Sequence, residues 1–274
     1  MKKAYLADVI KKHGRRIRRY GKQLPGSFDP EMVHDLRVEY KKLRAFIRLL
    51  QEGKKGKDLD MPADIKNMYH AAGRVRDLQL FVPQVADREA LNGIVLGEYS
   101  AYLQQRLFRA KESLVRVIEH MHAGKGVEQL TRALPASLDD KVIRRFIHRK
   151  IASVHVILLA LEQDRELHSI RKQLKDILLN IRLFDSDWGI SFPVTAWRSE
   201  KKLTDVAALL GDYNDRCRAL SFLSESMIYT LPDVEKDLLR AWRADLSFEK
   251  GVIRQQVGEQ LSQLQLVANF ERQL

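Results

Sequence analysis

In the stretch VHDLRVEYKKLRAFIRLL, residues 33–50, His34 is followed by Arg37, Lys41, Arg44 and Arg48 at spacings of three and four residues. With His34 at zero and about 100° per residue, the four cations fall near −60°, −20°, −80° and −40°, on one face of a helix. Leu36, Leu43, Phe46, Ile47 and Leu50 cluster at roughly 120° to 220°, on the opposite face. One side packs, and the other offers a ladder of positive charge about 21 Å long at a rise of ~1.5 Å per residue. The chemistry such a ladder can do is to hold an anion. Like charges on adjacent turns repel by a few tenths of a kcal/mol per pair, a cost that a polyanion offsets. A cation and a phosphate charge ~4 Å apart gain about 1 kcal/mol in water and about 4 kcal/mol at a protein surface, so a handful of contacts can hold a polymer.

A second ladder stands 134 residues on, in LHSIRKQLKDILLNIRLF, residues 167–184. Set on His168, the basic residues Arg171, Lys175 and Arg182 take the angles of Arg37, Lys41 and Arg48, with Lys172 beside them. Each ladder is followed by a glycine and, four residues later, an aspartate: Gly73 with Asp77, and Gly211 with Asp215. Two features repeated in the same order point to internal duplication. The histidines at the head of each ladder offer either a charge or a hydrogen-bond donor to phosphate, or else serve the packing of the helices. Asp77 and Asp215 are read as structural acids, capping helices or pairing with cations. The His34-Asp35 pair has no companion motif, and adjacent helix residues diverge by about 100°, so no metal site is expected.

The elements that must position these residues are helices. Leu, Arg, Lys, Glu, Gln and Ala dominate, and only 7 prolines and 14 glycines interrupt 274 residues. Periodicity and turn signals predict eight main helices, at about 2–23, 30–52, 60–86, 88–121, 137–163, 164–186, 194–226 and 231–268. Short turns make neighbours antiparallel, so the expected fold is all-α, with two four-helix bundles. Their expected ranges are residues 1–123 and 124–274, with the GKGVEQLTRALPAS stretch as connector. Net charge is +12, and residues 1–60 alone hold 17 basic against 8 acidic residues, which points to a polyanion as partner: nucleic acid, anionic lipid or a phosphate polymer. The single Cys217 excludes an internal disulfide and is expected to be a small buried filler in a reducing compartment. The charged N-terminus and the lack of a long apolar run lead to an expectation of a cytoplasmic protein without membrane insertion.

At these residues the chain resembles the CHAD family, the conserved histidine α-helical domain. HDLRVEYKKLRAFIRLL is similar to its first signature and GRVRDLQLFV to its glycine-to-aspartate element, while LHSIRKQLKDILLNIRLF and LLGDYND resemble the second-half counterparts. The resemblance spans almost the whole chain. It implies two pseudo-symmetric helical bundles around a basic pocket or channel, and binding of inorganic polyphosphate without a cofactor, in the cytoplasm and on polyphosphate granules. The chain departs from the pattern at Leu178-Leu179, where Arg-Tyr is usual, and at Thr204 and Ala207, where Lys and Gln are common. Nothing resembles the Glu-x-Glu-x-Lys signature of a triphosphate-cleaving partner domain.

Three function classes follow. A non-catalytic polyphosphate-binding module is expected, with His34, Arg37, Lys41, Arg44, Arg48, His168, Arg171, Lys172, Lys175 and Arg182 as its ligands. An RNA- or DNA-binding helical protein is the alternative, favoured by charge but lacking a stacking platform or helix-turn-helix signal. A phosphate-transferring or phosphate-hydrolysing enzyme would need a nucleophile with its base, a glycine-rich phosphate loop or a carboxylate metal cluster, and no such pattern is evident.

Overall fold

The chain is all helical in a computed structural model that describes residues 1–53, 59–121, 123–159, 163–188 and 200–263. The helices are α1 (Lys3–Ser27), α2 (Pro30–Glu52), α3 (Ala63–Asn92), α4 (Gly97–Glu119), α5 (Ala123–Arg132), α6 (Asp140–Leu158), α7 (Asp164–Trp188), α8 (Glu200–Phe222), the single turn α9 (Glu225–Ile228) and α10 (Asp233–Gln263). Among the described residues there are thus ten helices rather than the expected eight. α5 forms in the stretch expected to be a connector and packs on α1 and α3, so it sides with the first half although the expected boundary falls at its start. α1 runs through Pro25 and α3 through Pro83, both on exposed positions where water takes up the freed backbone groups. The expected helix residues 160–162, 194–199 and 264–268, and the turn residues 54–58 and 189–193, lie outside the described residues.

The turn into α2 is set locally. Phe28 ends α1 in the left-handed region at φ 50°, with its N–H bonded to the Leu24 carbonyl at 2.9 Å. Asp29 then caps α2 by accepting the Glu31 N–H at 3.2 Å, and Pro30 occupies the first helical position. The chain reverses within two residues, so α1 and α2 lie side by side.

α2 packs against α1, α3, α6 and α7, and α7 packs against α2, α6 and α8. The two ladder helices are therefore the central ones and touch each other. Leu36, Leu43, Phe46, Ile47 and Leu50 are all buried, as the periodicity predicts. Val33, Tyr40, Ala45 and Leu49 are buried as well, because neighbours cover α2 on several sides. In α7, Ile170, Leu174, Ile177, Leu178, Ile181 and Phe184 do the same work, each large side chain contributing about 1.5–3 kcal/mol by leaving water. Asn180, buried between the two helices, donates from Nδ2 to the Ala45 carbonyl at 3.0 Å and to the Asp176 carbonyl at 2.8 Å. That bond pins the register of α7 on α2.

On the far side, α10 joins the halves again. Glu235, also buried, accepts the N–H groups of Glu98 and Tyr99 at 2.9 Å each, which satisfies the free donors at the start of α4. Phe81 of α3 stacks between Phe222 of α8 and Trp242 of α10, with ring centroids 4.7 and 5.3 Å away.

A candidate polyanion site between the central helices

The ladder of α2 does not face open water. Lys41 is half-buried, and the charges acting most strongly on it are Arg37 and Arg44 from its own helix and Arg171 and Lys175 from α7. Burial first, and then those four cations, pull its pKa down to about 8. Lys175 is lowered by burial, Arg171 and Arg182. Arg171 is lowered by burial and by Arg37, with Asp215 and Tyr69 acting the other way. The two ladders therefore meet along the α2–α7 contact, in a seam that holds positive charges against their mutual repulsion.

Aromatic rings and a glycine set the α2 cations. Tyr40 and Tyr69 stack with centroids 3.9 Å apart. Arg37 lies over the Tyr69 ring at 4.8 Å and donates from Nη1 to the Tyr69 carbonyl at 3.3 Å. Arg44 lies 5.6 and 5.8 Å from the two ring centres. Gly73 makes room for Arg37: a Cβ there would stand 2.3 Å from Arg37 Nη1. Gly211 stands against Arg171 in the same way but more loosely, its Cβ position lying 3.8 Å from Nη2. The repeated glycines are thus seats for the repeated arginines. Among the described residues, Nε of Arg44 and Nε of Arg171 are buried and have no hydrogen-bond partner, which leaves donors for an acidic ligand to satisfy.

The remaining expected ligands divide. His168 is half-buried, and its pKa is lowered first by burial and then by Lys172, with Arg171 and Arg218 adding to the effect and nearby Asn214 acting the other way. Lys172 and His34 are exposed. Arg182 is paired with Glu200 at 3.6 Å and bonds Thr204 Oγ1 at 3.4 Å. Arg48 turns away from the ladder's purpose. Its Nη1 donates to both oxygens of buried Asp176, at 3.0 and 2.8 Å, and Lys150 of α6 donates to the same carboxylate at 2.8 Å. The cation at the far end of the ladder is thereby bound to a buried carboxylate within the fold.

Asp77 and Asp215 sit inside α3 and α8 rather than at caps; Asp77 pairs across the halves with Arg218 at 3.4 Å. The departures from the family pattern also have places: Leu178 and Ala207 are core residues, and Thr204 meets Arg182. Cys217 is half-buried against the core, its thiol 3.8 Å from Asp164 Oδ2 and its pKa raised first by burial. Among the described residues no group of three or more His, Cys, Asp or Glu is placed to hold a metal ion, and no helix is long and apolar enough to cross a membrane. Tyr40, Tyr69, His70 and Asn214 were not expected in the site. His70 edges the Tyr69 ring at 5.4 Å, and burial followed by Lys66 and Arg44 lowers its pKa.

Fold and site together define an all-α protein with a half-buried cationic seam. The CHAD domain profile matches residues 3–224, and the chain belongs to that family. The crystal structure of the CHAD domain from the plant Ricinus communis is similar to it, with a TM-score of 0.68 at 19% identity over 94% of this chain and 91% of that one. PptA from Streptomyces chartreusis is similar with a TM-score of 0.69 at 15% identity, over 96% and 99% of the two chains. At these identities the likeness concerns the fold. No curated protein matches the chain in sequence.

Proposed function

We propose that the chain binds inorganic polyphosphate in the seam between α2 and α7, without chemical turnover, as a receptor or scaffold in the cytoplasm and on polyphosphate granules. The observation that carries this reading is Lys41, held at a pKa of about 8 first by burial and then by Arg37, Arg171, Lys175 and Arg44 from two helices. Cations gathered from two helices and partly withdrawn from water are unfavourable alone and become favourable with a polyanion between them. Membership of the CHAD family, whose members are associated with polyphosphate, supports the same ligand. Arg37, Lys41, Arg44, Arg171 and Lys175 are the central contacts, with His168 and Lys172 at one end and His34 at the exposed edge. In this reading the two ladders descend from one duplicated unit and form a two-sided clamp.

The test is binding of long-chain polyphosphate, RNA and duplex DNA to the pure protein at several salt concentrations, with free phosphate measured alongside. Polyphosphate is expected to bind tightest, and affinity should fall steeply with salt as counterions are released. Equal or tighter binding of a nucleic acid would move the reading to that partner, and released phosphate would make the protein an enzyme. Arg37→Glu with Lys41→Glu should abolish most binding at unchanged helix content; retained binding would remove the seam from the function.

A further inference from the structure

The face of α7 that carries the ladder begins one turn before His168. Asp164 lies about −40° from His168 around the helix, inside the arc of Arg171, Lys175 and Arg182. Its carboxylate accepts from Lys250 Nζ, and Arg254 Nη1 stands 3.7 Å away, both from α10. The Tyr213 hydroxyl and the Cys217 thiol donate to it as well. Two cations therefore share one carboxylate, and the group is open: the side chains of Asp164, Arg254 and Lys250 are 45%, 39% and 25% exposed. The neighbouring acids are engaged elsewhere, Glu249 by Arg216 at 2.6 Å and Glu166 by Arg165 at 3.4 Å. α10 lies beyond residues 3–224, the part that matches the family.

We propose that Lys250 and Arg254 extend the phosphate track past the head of α7, with Asp164 as a counter-ion that an incoming phosphate displaces. This rests on the seam being the polyphosphate site. The exchange is favourable because an exposed ion pair contributes little in water, while a phosphate oxygen can serve both cations in its place. A short oligophosphate lodged among Arg37, Lys41, Arg171 and Lys175 leaves α10 untouched; a long chain reaches it.

Affinities of tripolyphosphate and long-chain polyphosphate for Lys250→Ala with Arg254→Ala test this. The long chain should bind about tenfold more weakly, and its dependence on salt should lose about two counterions, while tripolyphosphate stays at the wild-type value. Asp164→Asn should tighten the long chain alone. Tripolyphosphate binding also reports an intact seam: if it falls with the long chain in the double variant, the α10 cations act through the fold and the extension is wrong. Wild-type affinity and salt slope for the long chain in the double variant would overturn it too. Failure of the seam itself is seen separately, as unchanged binding of both ligands to Arg37→Glu with Lys41→Glu.

Discussion

If the seam binds polyphosphate as proposed, Lys41 should make that affinity depend on pH in a window where few groups titrate. Its free-state pKa of about 8 lies well under the usual lysine value of 10.5 because burial and four cations oppose its charge. A phosphate in the seam reverses both influences, so the bound-state pKa rises and binding takes up a proton as pH passes 8. If the bound lysine stays charged, affinity follows its charged fraction in the free protein. That fraction drops about tenfold between pH 7 and pH 9, equal to about 1.4 kcal/mol. Lys175, lowered for the same reasons, deepens the trend. The assay is calorimetric titration with long-chain polyphosphate, whose terminal groups are too few to matter, in buffers of different ionisation enthalpy so that proton uptake is counted directly. Lys41→Arg keeps the charge at all these pH values and should flatten most of the curve. The free protein should respond in the opposite sense. With the folded pKa below the unfolded one, the unfolded chain binds more protons between them, so Lys41 adds about 2 kcal/mol of stability as pH rises from 7 to 9.5. Affinity constant from pH 7 to pH 9, or an equal slope in Lys41→Arg, would refute this account of the seam.

Gly73→Ala should weaken polyphosphate binding severalfold by pushing the Arg37 guanidinium out of its seat, while melting stays level or rises because alanine favours a helix by about 1 kcal/mol; Gly211→Ala, with 3.8 Å to Arg171, should change affinity little in the same titration. Asp176→Asn leaves Arg48 and Lys150 without their shared carboxylate and should cost about 2 kcal/mol in denaturant unfolding, discounted from a fully buried pair because Arg48 is 35% exposed. Below neutrality, burial and Lys172 hold His168 toward its neutral form in the free protein, so polyphosphate should bind more tightly from pH 7 to pH 6 in wild type and lose that gain in His168→Gln.

The apolar face of α2 was legible because its residues recur at helical spacing and the helix does pack on them. Helix ends were less so. Pro25 reads as a break, yet α1 continues through it to Ser27 because the proline is exposed and the packed face is uninterrupted. The ladder was legible as a set of cations on one face, but not its surroundings. Angles around a helix say where Lys41 points and nothing about α7 lying across from it. Arg48 has the right angle and the wrong partner, since Asp176 is 128 residues away in the chain. Gly73 and Gly211 carried a visible signal, a repeat with no evident local duty, and only the tertiary placement of Arg37 and Arg171 explains it.

The bonds joining α2 to α7 span 128 to 135 residues of chain, and this has a consequence for synthesis. A ribosome adding 5–20 residues per second needs roughly ten seconds to make the second central helix after the first. Throughout that interval the surface of α2 destined for α7 is bare, with Phe46, Ile47 and Leu50 nearby in the chain. Arg37, Lys41, Arg44 and Arg48 flank that surface, and charges beside an apolar stretch keep nascent chains from sticking to one another. The cations that repel across the finished seam thus shield the first half while it waits for its partner.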